Sequence, residues 1–261
     1  MLEELFAGEM HPERVSAIHA YLVTNSALPG PRSNLELAYV FGDQVGDEAA
    51  ESGDATWQLC KEMLAIPPEA APVNTPREFL PVCGTIGIGA LAAVLPERCK
   101  EALVLLRRAA SDPRWRTREG VCMGLQRMLS VKPLQSLEAL KEWVKAGNPF
   151  EMRAAAAAVA EPYLLRDDHF TLPALELQQA VLEQLGKLTE RNSEGFRVLR
   201  KGLGYTLSVV VSAMPEEGFA LMQSLASLPD RDIQWILREN LKKNRLVRKY
   251  PERVQAIKAL L

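Results

Sequence analysis

The chain reads as an all-α protein, an α-α superhelix of about five to six stacked helix pairs. Three observations carry that expectation: apolar residues at helical spacing, a scarcity of strand signals, and helix starts that recur at a steady period. "CKEALVLLRRAA" sets Ala102, Leu105, Leu106 and Ala109 on one side of a helix. "LEALKEWVKAG" does the same with Leu137, Leu140 and Val144 before a stop at Gly147. Short β-branched runs such as "LSVVVSAM" exist, but alternating hairpins with Asn-Gly turns do not.

The helix starts fall into two interleaved series. One begins near Pro96–Glu97, Lys132–Pro133, Leu172–Pro173, Met214–Pro215 and Tyr250–Pro251, at spacings of 37, 40, 42 and 36 residues. The other begins near Thr75–Pro76, Asp112–Pro113, Asn148–Pro149, Asn192–Ser193 and Asp230–Asp232. Proline has no N–H to leave unbonded at the first helical position, and a preceding Asp, Asn or Thr oxygen accepts from a free backbone donor. Two such series describe antiparallel helix pairs repeated along the chain, the pattern of an α-solenoid.

Residues 1–261 are read as one such domain, with regular repeats over 76–261 and less regular helices over 1–75. In the latter, "SALPGPRSNLELAYVF" holds a turn cluster and then Ser33-Asn-Leu-Glu36, which matches a capping box. "IPPEAAPVNTP", residues 66–76, is a connection that helices cannot cross, either a flexible insertion or an ordered strap. Alanine in "FEMRAAAAAVAEPYLL" and glycine in "TREGVCMGL" and "CGTIGIGALAAVL" allow close helix approach. The last segment is not a phosphate loop, because no strand precedes it and no Gly-Lys-Ser/Thr follows.

A net charge of −2 conceals an asymmetry: residues 1–75 carry 12 acidic and 3 basic side chains, residues 231–261 carry 3 and 9. A polyanion would therefore meet a local attraction at the C-terminal end rather than a global one. No run of about 18 apolar residues suggests a membrane span, and the acidic opening "MLEELFAGEMHPERV" lacks the basic start of a signal peptide. A cytoplasmic protein without membrane partner is expected. Cys60, Cys83, Cys99 and Cys122 follow neither a zinc nor a disulfide spacing, and buried thiols are expected. His11, His19 and His169 are too scattered for a metal site, so neither metal nor cofactor is expected. In "RDDHF", capping and turn formation account for Asp167 and Asp168.

One motif recurs. "DPRWRTREGV" and "DIQWILRENL" both read Asp-x-x-Trp-x-x-Arg-Glu and start 120 residues apart, at Asp112 and Asp232. "GDATWQLCKEML" keeps Asp54 and Trp57 of the same pattern. A turn acid or amide followed by Arg early in a pair's second helix, as in Asp112/Arg118, Asn148/Arg153 and Asp232/Arg238, resembles HEAT repeats. That resemblance covers roughly residues 75–261 and implies a ladder of acid–Arg bonds between adjacent repeats. Within it, "IQWILRENLKK" is similar to the Trp-Val-Leu-Arg-Glu helix of the DNA alkylation-repeat proteins, HEAT-like alkylpurine DNA glycosylases. The likeness implies tryptophans lining a cleft and a carboxylate facing the damaged nucleotide. Trp115 and Glu119, at i and i+4 on one helix face, would supply one wall, with Glu119 standing where the family has Asp; Trp235 would supply the second tryptophan.

Each of these residues also has a structural reading. Trp115 and Trp235 either stack on a ligand or cover the seam between repeats and the adjacent Arg stem. Glu119 either stabilises a departing cationic base or complements the helix macrodipole, as Glu239 would in the same context. Arg238, Lys242, Lys243, Arg245, Arg248 and Lys249 either neutralise phosphates or form the polar end cap that a solenoid needs.

The expectation is a HEAT-like binding protein, non-catalytic, holding DNA or a protein partner in its concave groove. Arg118, Arg153, Arg200 and Arg238 would line that groove beside Trp115, Trp235, Lys242, Lys243 and Arg245. The alternatives are an alkylpurine DNA glycosylase in base-excision repair, with Glu119 as its catalytic carboxylate, and a protein–protein scaffold.

Overall fold

The computed structural model describes residues 2–6 and 8–261, so Met1 and Ala7 of the acidic opening lie outside the described residues. Among the described residues there are fifteen α-helices and no strand. The all-α expectation holds. The chain forms two compact units, Met1–Lys132 and Pro133–Leu261.

The first unit contains α1 (Leu2–Phe6), α2 (Pro12–Thr24), α3 (Leu35–Asp47), α4 (Ala49–Ala65), α5 (Phe79–Val94), α6 (Cys99–Ala109) and α7 (Trp115–Val131). Helix α5 is its centre: every residue from Phe79 to Ala93 is buried, and α2, α3, α4, α6 and α7 all pack on it. With its 3₁₀ lead-in, Pro76–Val94 is long and apolar enough to cross a membrane, against the reading that no such run exists. Its apolar surface is instead covered by the other helices of the unit. The glycines explain the close packing. A Cβ on Gly89 would lie 2.2 Å from the carbonyl oxygen of Gly124, so α5 and α7 cross backbone to backbone.

The second unit contains α8 (Pro133–Ala146), α9 (Pro149–Val159), α10 (Asp168–Lys187), α11 (Glu194–Ala213), α12 (Pro215–Ala226), α13 (Arg231–Asn240), α14 (Asn244–Val247) and α15 (Pro251–Lys258). Helices α9, α11 and α13 lie side by side, and α8, α10 and α12 pack over them. This is the two-layer stacking of helix pairs that the interleaved starts imply. Buried amides tie the helices, across the layers and within one: Gln178 of α10 donates to the Ala156 carbonyl and accepts from Thr206. Asn240 of α13 accepts from Ser208 N–H and donates to the Leu203 carbonyl of α11.

Most expected starts agree within a few residues, including Pro133, Pro149, Ser193, Pro215 and Pro251. Gly147 ends α8 in the left-handed region at φ +78°. Three local readings need correction. Helix α10 starts at Asp168, capped by Asp167, so Pro173 lies inside the helix instead of opening it. Asn34, not Ser33, caps α3, its Oδ1 accepting from Leu37 N–H at 3.0 Å, so the helix starts one residue later. Asp112 and Asp232 are not equivalent caps: α7 has no side-chain cap, and α13 is capped by Asp230.

The proline-rich segment 66–76 is an ordered strap. Asn74, at φ 63°, accepts from Gly30 N–H, and its own N–H donates to Glu78. Arg116 of α7 pairs with Glu78 at 3.0 Å and donates to the Gly30 carbonyl. Glu78 is fully buried, so this pair locks strap, loop and helix together.

Candidate nucleic-acid interface

In the second unit the α11 segment Lys201-Gly202-Leu203-Gly204-Tyr205 organises the predicted residues. A Cβ on Gly202 would lie 3.2 Å from Cγ of Arg153, so Arg153 of α9 packs there. A Cβ on Gly204 would lie 3.1 Å from the Trp235 ring, so Trp235 of α13 packs on the other glycine. Between these two neighbours, Lys201 and Tyr205 stand exposed one turn apart, with Arg197 a further turn back.

Trp235 is half-buried. The Arg200 guanidinium lies over its ring at 3.8 Å, and Arg200 Nε is 2.8 Å from Asp232. Asp232 also accepts from Arg191 at 2.9 Å, and Arg191 reaches on to Asp230. These acid–Arg pairs run from α11 and the turn before it to the start of α13. They have the ladder form that HEAT repeats imply, but the arginines come from the preceding repeat. Arg191 holds the Asp230 carboxyl below the usual carboxylate range, helped by the N–H groups of Ile233 and Asp232.

Beyond α13 lies the basic cluster. Lys243 Nζ sits 5.7 Å and the Arg245 guanidinium 4.5 Å from the Tyr205 ring centre, and Arg245 Nη2 donates to the Tyr205 hydroxyl at 2.7 Å. Lys242 pairs with Glu239 at 2.5 Å, which holds the Glu239 carboxyl low, with Lys243 and Arg200 adding to the effect. Arg238 is exposed and donates to the terminal Leu261 carbonyl. Tyr205, Lys201 and Arg197 were not singled out from sequence, since exposed residues on an apolar-looking helix carry no motif. The i, i+4, i+8 spacing was the available signal.

The first unit treats its copy of the motif differently. Asp112 accepts from the N–H and the guanidinium of Arg114, which is almost fully buried. Arg118 is buried as well and donates to the Asp112 and Pro113 carbonyls, closing its own turn instead of facing outward. Trp115 is 44% exposed, with the buried Arg116 guanidinium 4.4 Å from its ring centre. Glu119 is exposed on the same helix. Trp115, Arg118 and Glu119 thus belong to the first unit, and Arg153, Arg200, Trp235, Arg238, Lys242, Lys243 and Arg245 to the second.

The third copy is a near match to the α13 arrangement. Arg98 lies 5.2 Å from the buried Trp57 ring centre and pairs with Asp54. The four cysteines are free and buried, and burial pushes the Cys60 and Cys83 thiols up. Among the described residues no group of His, Cys, Asp and Glu could hold a metal ion. A hollow of about 470 Å³ in the first unit is lined by Glu9, Glu51, Asp54 and Glu97, a setting that repels anions.

No family model matches the chain, and no curated protein is significantly similar to it. Among solved structures, it is similar to an engineered protein, at 14% identity over 98% of this chain and 97% of that one, with a TM-score of 0.37. It is also similar to a designed armadillo repeat protein, at 13% identity over 92% of this chain and 97% of that one, with a TM-score of 0.35.

Proposed function

We propose that the chain is a non-catalytic helical-repeat protein that binds nucleic acid along the α9–α11–α13 layer of its second unit. One observation supports this above the others: Lys201 and Tyr205 stand exposed on α11 between Arg153 and Trp235, with Lys243 and Arg245 grouped around Tyr205. A row of cations beside one exposed aromatic ring suits a phosphate backbone with a sugar or base stacked against it. Residues four apart on α11 rise by about 6 Å, close to the separation of successive phosphates along one strand. The protein would work in the cytoplasm, where its four thiols stay reduced.

The repeated Asp-x-x-Trp unit supports the non-catalytic side of this reading. In two of its copies one arginine both pairs with the acid and stacks on the tryptophan, a packing device that recurs at Trp57 and Trp235. The test is fluorescence anisotropy with a labelled oligonucleotide, single-stranded and duplex, over a salt series. Binding that weakens steeply with salt supports the proposal; salt-insensitive binding or none rejects it.

A second reading, a protein partner, draws on Leu35, Tyr39 and Val40, three large apolar side chains left exposed on α3. Isolated exposed apolar residues are common on surfaces, so this reading stands behind the first.

A further inference from the structure

The Tyr205 hydroxyl stands in an unusual chemical position. Its oxygen accepts from Arg245 Nη2, which leaves its own O–H to donate, and among the described residues no acceptor for that proton is present. Tyr205 is 49% exposed, with Lys243 and Arg245 half-buried beside its ring. Neither Lys243 nor Arg245 has a carboxylate within ion-pairing distance among the described residues, and Arg245 Nη1 is covered without an acceptor. The nearby Glu239 is bonded to Lys242. Two cations without a direct ion pair and a phenolic donor converging on one place suit an anion with several acceptor oxygens.

We propose that Tyr205, Lys243 and Arg245 form a phosphate subsite that grips one phosphodiester of the bound strand, resting on the nucleic-acid reading above. The tyrosine hydroxyl supplies a directed hydrogen bond, Arg245 a charged donor held in register by that same hydroxyl, and Lys243 a mobile point charge. Lys201, one turn before Tyr205 on α11, takes the neighbouring phosphate. A Cβ on Gly204, beside Tyr205, would lie 3.1 Å from the Trp235 ring and 3.3 Å from Glu239 Cβ, so a side chain there presses on α13.

Two measurements separate the subsite from the nucleic-acid reading. In the first, anisotropy with a labelled oligothymidylate compares wild type with Tyr205→Phe, Arg245→Gln and, as a control away from the cluster, Lys258→Ala. Tyr205→Phe keeps the ring but loses the donor, and is expected to weaken binding about fivefold, one hydrogen bond. Arg245→Gln is expected to flatten the slope of log affinity against log salt by about 0.7, one phosphate of a single strand. Lys258→Ala is expected to match wild type. In the second, the Arg245 Nε–Hε resonance is followed on adding inorganic pyrophosphate, against sodium chloride of equal ionic strength.

Wild-type binding with both variants unimpaired, and with melting temperatures intact, overturns the subsite while leaving the nucleic-acid reading in place. A pyrophosphate-specific shift with no oligonucleotide binding keeps the phosphate subsite and overturns the nucleic-acid reading. No shift and no binding overturn both.

Discussion

The Arg200 guanidinium lies 3.8 Å from the centre of the Trp235 ring while Asp232 holds its Nε at 2.8 Å. One arginine thus contacts both recurring positions of the Asp-x-x-Trp unit from the neighbouring helix. The same relation joins Arg98 to Trp57 and Asp54 in the first unit. A double-mutant cycle on Arg200→Ala and Asp232→Asn, read by urea melting, is expected to show a coupling of about 1 kcal/mol, the upper range of a solvent-accessible ion pair. Trp235→Leu is expected to cost a further 1–2 kcal/mol, roughly, from lost cation–π contact and area.

Stability is expected to fall in acid through Asp230. Its carboxyl is held below the ordinary Asp value in the folded chain, first by Arg191, so the unfolded chain binds the proton more readily. The resulting stabilisation is complete above about pH 4, the unfolded value, and is lost as pH falls from there through the folded value. Urea melts between pH 7 and pH 2 are expected to show a smaller acid loss in Asp230→Asn than in wild type.

The strap should behave as a buried-charge lock. Arg116→Ala would leave Glu78 buried without its cation, an expected loss of about 3–5 kcal/mol, whereas replacing both with apolar residues should cost less. Limited proteolysis is expected to report the same event as cleavage within 66–76 in the variant and none there in wild type. A strap that stays protected in Arg116→Ala, with unchanged stability, contradicts this role.

Glycine substitutions should split by contact. Gly89→Ala forces a carbon against the Gly124 backbone at 2.2 Å and is expected to destabilise by more than about 2 kcal/mol. Gly46 lies in α3 with nothing within 4 Å of an added Cβ, and Gly46→Ala is expected to be neutral or to stabilise by up to about 1 kcal/mol. Thermal melting of the two variants checks the contrast.

Much of the fold was legible because its signals are local. Pro at a helix start and an apolar stripe every three to four residues need only neighbouring residues to act, and Pro133, Pro149, Pro215 and Pro251 open helices as their positions imply. Pro173 misled because the earlier Asp167 cap started α10 first. Site details were less legible because they depend on partners far along the chain. Nothing near Asp232 announces that Arg191 and Arg200 will reach it, and nothing near Trp115 separates it from Trp235. The two tryptophans share a motif, yet Trp115 lies beside a buried arginine of its own helix and Trp235 under one from the preceding repeat.

The central claim is that the cations beside Tyr205 meet phosphates. The direct measurement is the salt dependence of oligonucleotide affinity for wild type against the triple variant Lys201→Ala, Lys243→Ala, Arg245→Ala. The wild-type slope of log affinity against log salt is expected to be negative and to flatten by about 1.4 in the variant, the two phosphates that these cations hold on a single strand. A flat wild-type slope, or equal slopes for the two proteins, would contradict it.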